Sequence, residues 1–392
     1  MSVQVAYVPF HDARKWEREG VRSRDGHVCL HLAQRLRGNR VVVLDRPTSL
    51  AELGMLWGRW CVSGSPVNRS PGSRLTQWRA GVLVADSFVP ELGLRRGSFH
   101  LWLMRAYGSA RHGAHLSRIR EWIESSDSVL WLCQPFAAGI MDRWRAVRVV
   151  FDGFDNFAIH PELAPGVRAA VAERYRTICA RADRIVVNSA AMQEYLWHLC
   201  RRDTVVVPNG ADPGMFVDVP AMALHRLQRP FVGYAGKLGL RIDVDLVRAL
   251  GQAMRNGTIV IAGQLLNRRW MRTALRHPRV SYLGDLHYSR LPSFLAACDV
   301  CIVPHRVGRG ENDGDATKIY EYLAAGKPVV TTRIGGVEGF RGRVTIADSP
   351  ASFIEATLAA LRGETTVTGT VLSNETWEAR TDLILRHFDL QP

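Results

Sequence analysis

The sequence predicts an α/β protein made of two doubly wound, Rossmann-like domains that face a central cleft. Three features carry that expectation. Short β-branched runs alternate with helical stretches along the chain, as in parallel strands joined by crossover helices. The valines at 205–207 close on Pro208-Asn209-Gly210, strong turn chemistry, and a second α/β series starts beyond them. At 392 residues the chain is long for one core and comfortable for two.

In the first series, β-branched runs of strand length place strands at 3–8, 41–44, 82–85, 128–132, 148–151 and 184–188. Residues 27–37 carry apolar side chains at 28, 32, 33 and 36, which is helical spacing, and 166–181 form a longer helix ending just before a strand. In the second series, strands are expected at 231–234, 258–262, 280–283, 300–304 and 328–331, with helices at 244–254, 290–297 and 317–325. Helices at 351–362 and 375–387 close the chain. The expected domains are 1–210 and 211–370, with 371–392 crossing back to the first. Ligands of such folds bind beyond the carboxyl ends of the strands, so the loops following strands are where chemistry belongs.

Composition narrows the class. With 47% hydrophobic and 22% charged residues, the chain has the make-up of a globular protein. Residues 129–140, the best candidate for a membrane span, are too short and are interrupted by Gln134 and Pro135. Residues 1–10 lack a basic region followed by an apolar core, so a cytoplasmic placement is expected. The seven cysteines are odd in number and irregular in spacing, which argues against a disulfide framework. Cys298 and Cys301 form a CxxC with neither a second pair nor a nearby His, and read as buried thiols rather than a zinc site.

The net charge of +14 is lopsided: residues 1–120 hold 19 Arg or Lys against 8 Asp or Glu, a net +11. That excess is either a solvated, arginine-rich surface or a face for an anionic partner such as a membrane. Trp57, Trp60, Trp78 and Trp102 are candidate interfacial aromatics for peripheral contact with an anionic membrane, or else core. No helix-turn-helix, RNP or zinc pattern accompanies the charge, so nucleic acid is not expected as a partner.

The strongest chemical signal is Asp313-Gly-Asp-Ala-Thr317-Lys318-Ile-Tyr-Glu321, followed by Tyr-Leu-Ala-Ala-Gly-Lys-Pro-Val-Val330. A loop rich in Gly and acids feeds a short helix that Gly326 ends. The amides at the helix start suit an anion such as a diphosphate. Glu321 lies one turn further on, on the face of Thr317 and Lys318, where a carboxylate can accept hydrogen bonds from a ribose diol. Upstream, Phe231-Val-Gly-Tyr-Ala-Gly236-Lys237-Leu-Gly-Leu-Arg241 follows a strand. Its glycines let backbone approach a ligand, and Lys237 and Arg241 can address a diphosphate, unless they are merely solvated cations on a turn.

Residues 318–330 resemble the donor-site block of group 1, family 4 glycosyltransferases, retaining enzymes of the GT-B fold. The family has two Glu separated by seven residues. The second matches Glu321, which the resemblance assigns to the donor ribose. The first falls on Asp313, assigned to the transferred sugar, with a side chain one methylene shorter; Glu311 is an alternative if the loop is shifted. The family's Arg and Lys, which neutralise the leaving diphosphate, map onto Lys237 and Arg241. Two further segments agree with the family in order: Val-Pro-Asn-Gly-Ala-Asp212 through Phe216, and Val280-Ser-Tyr-Leu-Gly-Asp-Leu with 291–304. They imply that Leu283, Gly284 and Asp285 lie beside the nucleobase, with Gly236 and Gly263 in the donor site.

The first half resembles the family less. Where its members carry a glycine-rich loop before the first helix, residues 20–27 offer Gly26 and the following helix amides, with Arg22 and Arg24 as phosphate contacts. Phe151-Asp152-Gly-Phe-Asp155-Asn-Phe resembles a strand-end segment whose acids contact sugar hydroxyls. Asp155 is then a catalytic candidate, and Asp152 and Arg24 lie on the acceptor side; alternatively Asp152 and Asp155 order a turn. The resemblance implies retaining transfer from a nucleotide-diphosphate sugar to a sugar, lipid-linked or other hydroxyl acceptor, with neither cofactor nor metal. Asp313 and Asp315 make a formal Asp-x-Asp, but Lys318 and the helix start disfavour a cation there. A non-catalytic sugar-nucleotide-binding or scaffold protein is the alternative, and a different reaction of the same fold, such as sugar-nucleotide epimerisation, stays open.

Overall fold

A computed structural model of the chain describes residues 4–36, 38, 41–55, 60–90, 99–123, 128–308, 315–364 and 369–390. The chain divides into two compact units, Met1–Val207 with Thr381–Pro392, and Pro208–Arg380.

The sheet of the first unit runs in the order Val205–Val206, Arg184–Val187, Arg148–Gly153, Ser128–Leu132, Gln4–Val8, Val41–Leu44, Val82–Val89, Ser73–Arg79, Ser65–Ser70. All neighbours are parallel except the last two strands, which add antiparallel. Sequence patterning did not show that hairpin. Its outer strand, Ser-Pro-Val-Asn-Arg-Ser, is exposed at the sheet edge, so no apolar alternation marks it. Val5, Val8, Val42, Leu130 and Leu132 are fully buried, as strands covered on both faces require.

The sheet of the second unit is wholly parallel, in the order Val280–Tyr282, Thr258–Ala262, Phe231–Ala235, Val300–Val303, Val329–Thr332, Thr345–Ala347. Alternate side chains of each strand enter opposite layers. Val260, Cys301 and Val303 pack with the helices Leu291–Ala297 and Thr317–Ala324. Ile259, Ile261, Val300 and Ile302 pack with Val244–Ala253, Arg268–Leu275 and Pro350–Leu361. The two-residue side-chain period of a strand thus builds a three-layer domain from near-continuous apolar runs. Cys298 and Cys301 are both buried.

The closing helix, Trp377–His387, ends in the first unit. There Phe388 meets Trp131 edge-on at 5.3 Å, and Asp382 holds Arg35 through bonds of 2.7 and 2.8 Å. Residues 129–140 form a strand end and the 3-10 helix Pro135–Asp142. Among the described residues no helix is long and apolar enough to cross a membrane.

Candidate functional site

In the second sheet the chain leaves Phe231–Ala235 for Thr258–Ala262 on one side, and returns on the other side with Val300–Val303. The strand order reverses there, so the segments that follow diverge and leave an opening at the carboxyl edge. Gly236 and Lys237 border it on one side, Pro304 and His305 on the other.

Three backbones close in beside that opening. The Gly236 amide donates to the Ala262 carbonyl at 2.9 Å, and the Gly263 amide to the Gly284 carbonyl at 2.8 Å. Gly263 has φ +138°, and a Cβ there would lie 1.9 Å from the Gly236 carbonyl oxygen. Only glycine fits, because both the backbone conformation and the packed neighbour exclude a side chain. Leu283 donates its amide to Ile261 at 2.9 Å, and the Tyr282 hydroxyl donates to the Gly263 carbonyl at 2.8 Å. Gly236, Gly263, Leu283 and Gly284 therefore make one continuous strip of backbone at the ends of three adjacent strands.

Cationic side chains lie over the strip's inner end. The Lys318 stem covers Gly236, for a Cβ on that glycine would meet Lys318 Cε at 2.9 Å. Its ammonium sits 5.6 Å from the Tyr234 ring centre. The Tyr234 hydroxyl donates to the Lys237 carbonyl at 3.4 Å and lies within hydrogen-bond distance of His305 Nε2, at 3.2 Å. Burial first, then Lys318 and Arg241, push the His305 pKa well below its ordinary value, so the imidazole stays neutral among cations. The Arg241 carbonyl accepts from the Arg306 amide at 2.8 Å, fixing the loop that follows Lys237. His305 and Tyr234 escaped the sequence reading. The available signal was a polar His directly after an apolar strand, in Val303-Pro304-His305.

Thr317 opens the eight-residue helix Thr317–Ala324 with no side-chain cap, and its own amide donates to the Asp315 carbonyl at 3.1 Å. Asp315 accepts the Asn209 amide at 2.7 Å and, through its carbonyl, the Asn209 side chain at 2.8 Å. Asp313 and Glu311 lie outside the described residues. Glu321 is buried one turn into the helix beside Tyr288, whose pKa rises through burial first and then through the Glu321 carboxylate. Among the described residues no group of three His, Cys, Asp or Glu is arranged to hold a metal ion.

In the first unit the structure corrects several expectations. Residues 20–27 are not a loop throughout, because the helix Arg24–Leu36 takes in Gly26. The Gly26 amide donates to the Ser23 carbonyl at 3.0 Å, and a Cβ there would meet Val21 at 2.6 Å and Trp16 at 3.1 Å. Gly26 thus lets the helix pack closely on Val21 and Trp16. Arg24 is buried against Asp152 at 2.9 Å and donates to the Val207 carbonyl at 2.8 Å, while Arg22 pairs with Glu19. Arg24 and Asp152, both assigned to the acceptor side, are thus brought together, but as an interior ion pair. Burial, only partly offset by Arg24, raises the Asp152 pKa. Asp155 is half-buried two residues past the strand end, and its carbonyl accepts the Tyr175 hydroxyl at 2.9 Å.

The aromatic support for membrane contact also changes. Trp102 is buried, Trp60 and Trp78 are half-buried, and Trp57 lies outside the described residues. Trp78 donates to Glu17 at 3.0 Å and carries Arg79 on its ring. Trp102, by burial, and Trp78, by its bond to Glu17, are thus tied into the fold.

The first unit also holds a buried charge network that the sequence reading did not identify. Asp12 caps the helix Ala13–Glu19 and pairs with Arg46 at 2.7 Å; Arg14 lies 3.7 Å from Asp45 and bonds Thr48. Burial acts to raise the Asp12 pKa, but Arg46 and Arg14 outweigh it and hold Asp12 at about 2. Asp86 accepts the Val62 amide at 3.2 Å, and burial, only partly offset by Arg14, pushes its pKa up to about 7.

Residues 229–363 match the family model described as glycosyl transferases, group 1. That segment, about a third of the chain, is similar to this family. No curated protein matches it in sequence. Among solved structures it is similar to sucrose-phosphate synthase from Thermosynechococcus elongatus, at 13% identity over 95% of this chain and 94% of that one, with a TM-score of 0.67. The α,α-trehalose 6-phosphate synthase from Burkholderia multivorans gives 12% identity, coverage of 99% and 98%, and a TM-score of 0.65. Anabaena HepE, solved with UDP and glucose, gives 17% identity, 99% coverage of both chains and a TM-score of 0.62. These likenesses establish the GT-B fold, an α/β architecture of two Rossmann-like domains. The matched segment contains the glycine strip, Lys237, Arg241, Lys318 and Glu321.

Proposed function

We propose that this GT-B chain transfers a sugar from a nucleotide-diphosphate sugar to an acceptor hydroxyl with retention of anomeric configuration. One observation carries the reading: a strip of close-packed glycine backbone runs from Gly284 to Gly236 and ends among Lys237, Arg241 and Lys318. Bare backbone suits the flat base and ribose, and the cations suit the diphosphate. In this reading Leu283 and Gly284 flank the base, and Glu321 accepts from the ribose hydroxyls. Lys237 and Arg241 stabilise the leaving diphosphate, with Lys318 and the Thr317 helix end nearby. Asp313 contacts the transferred sugar. The bond from the anomeric carbon to the diphosphate oxygen breaks, the acceptor oxygen bonds that carbon from the same face, and the acceptor proton passes to the departing phosphate. Asp155 serves the acceptor side, where a sugar, lipid-linked or other hydroxyl compound binds. The buried Arg24–Asp152 pair shapes that side without touching substrate.

The test is a thermal-shift screen against UDP-, GDP-, ADP- and dTDP-sugars. UDP-glucose comes first, because HepE was solved with UDP and glucose. A specific donor at a hundred times its Kd stabilises the fold by about 2.7 kcal/mol. Glu321→Ala should abolish most of that shift, since a charge-assisted hydrogen bond contributes about 1.5–3 kcal/mol, while the helix tolerates Ala. A chain stabilised by none of the four nucleotide classes, or an unchanged shift in the variant, overturns the assignment.

A further inference from the structure

The second unit carries an unusual distribution of charge away from the glycine strip. Residues 246–284 contain seven arginines and neither an Asp nor a Glu. A chain with 37 acidic residues in 392 would place about four in a segment of that length. The arginines are concentrated on the helix Arg268–Leu275 and its C-cap. At ~100° of rotation per residue, Arg268, Arg269, Arg272 and Arg276 fall within about 100° of one another, while Met271 and Ala274 face the core. All four arginines are exposed.

Several surface arginines of this unit find counter-ions: Arg229 pairs with Asp299, Arg333 with Asp348, Arg341 with Glu338 and Arg362 with Glu364. Between 246 and 284 the ion pair among the described residues is Arg248 with Asp245, on the neighbouring helix. Among the described residues none of these four guanidinium groups is in an ion pair, and each is able to fork two hydrogen bonds onto a phosphate.

We propose that this arginine face docks the chain onto an anionic phospholipid surface. Charge complementarity points to a polyanion, and Leu266 separates a lipid surface from a nucleic acid. Leu266 is 46% exposed, just before the helix cap Asn267. An apolar side chain beside a basic row can enter the boundary between headgroups and acyl chains, whereas a phosphate backbone offers it no apolar partner. The helix is also tied to the candidate donor site, because the amides of Leu266 and Asn267 donate to the Leu238 carbonyl at 2.9 and 3.2 Å, one residue past Lys237. A docked helix thus holds that site beside the membrane. The inference stands apart from the sugar-transfer reading, since it uses none of the residues assigned to donor or acceptor.

The test is co-sedimentation of the full chain with phosphatidylcholine vesicles, with and without about 30% phosphatidylglycerol, at low salt and at about 0.5 M salt. Wild type should bind only the anionic vesicles and should be released by salt. In the R269Q/R272Q/R276Q variant each lost arginine costs about fivefold, so partitioning should fall on the order of a hundredfold. Arg268 is left intact because it acts on Tyr282 at the glycine strip. An unchanged melting temperature shows that the variant is folded, and an unchanged response to nucleotide sugars separates docking from donor binding. The exposed arginines of the first unit provide a matched control, R105Q/R111Q/R118Q, expected to retain binding. Four outcomes overturn the proposal: equal binding to both vesicle types, no binding to either, loss only in the control variant, or tighter binding to single- or double-stranded DNA than to anionic vesicles.

Discussion

At the scale of single residues, charge decides where the chemistry belongs. Lys237 and Arg241 leave a short glycine-bordered turn, and the Tyr234–His305 pair fixes the Lys237 carbonyl from beneath. Their charges count most as negative charge builds on a departing diphosphate. Lys237→Ala should therefore lower turnover at saturating donor by about 10²-fold while weakening donor binding less, with a smaller effect for Arg241→Ala. Steady-state kinetics set against calorimetric donor affinity checks this, and wild-type turnover in either variant removes that residue from the role. Asp86 supplies a pH signature. Its folded pKa of about 7 lies above the unfolded carboxylate value, so the folded chain binds the proton more tightly. Its stabilising contribution is complete below about pH 4 and is lost as pH rises through about 7. Melting curves from pH 5 to 8 should show Asp86→Asn gaining on wild type as pH rises, by on the order of a few kcal/mol at pH 8. A constant offset between the two proteins would refute the titration.

At the scale of elements, the glycine strip is where strand ends become a binding surface. Three strands end in register, and their next residues must pass within van der Waals distance of one another. Gly263→Ala places a methyl group against the Gly236 carbonyl in a backbone region L-residues avoid. It should cost on the order of 1–3 kcal/mol of stability and displace Gly236, so that donor affinity falls too. Gly284→Ala is the useful comparison. It shares a positive φ, but a Cβ there has nothing within 4 Å, so it should cost less than Gly263→Ala. Equal effects, measured by denaturant unfolding, would mean that backbone strain rather than close packing governs the strip.

At the scale of the whole molecule, the end of the chain completes the first unit. Phe388 is fully buried against Trp131, and Arg148 donates to its carbonyl. Arg148 lies 240 residues earlier in sequence, and Trp131 earlier still. Phe388→Ala should cost about 3–5 kcal/mol, the usual result of emptying an aromatic site, and should do so in the transition of the first unit. Calorimetry resolving two transitions would show which one moves. A shift confined to the second unit would contradict this packing.

What the sequence by itself determined was everything written in local pattern. Runs such as 41–44, 128–132 and 258–262 occupy those residues as strands because strands buried on both faces must be continuously apolar. The motif from Lys318 to Glu321 was legible because helix spacing puts those side chains on one face. Only the tertiary structure decided the rest. The hairpin Ser65–Arg79 has an exposed outer strand and no apolar signature. Gly26 reads as a loop residue until Trp16 and Val21 are seen packed on it. Arg24 and Asp152, 128 residues apart, become one buried pair, and His305 becomes part of the candidate site through the Tyr234 hydroxyl. In the last three cases the deciding contact joins residues that meet only once the layers have closed, and for Arg24 with Asp152 and Tyr234 with His305 burial makes the pairing necessary, because an unpaired polar or charged group there is costly.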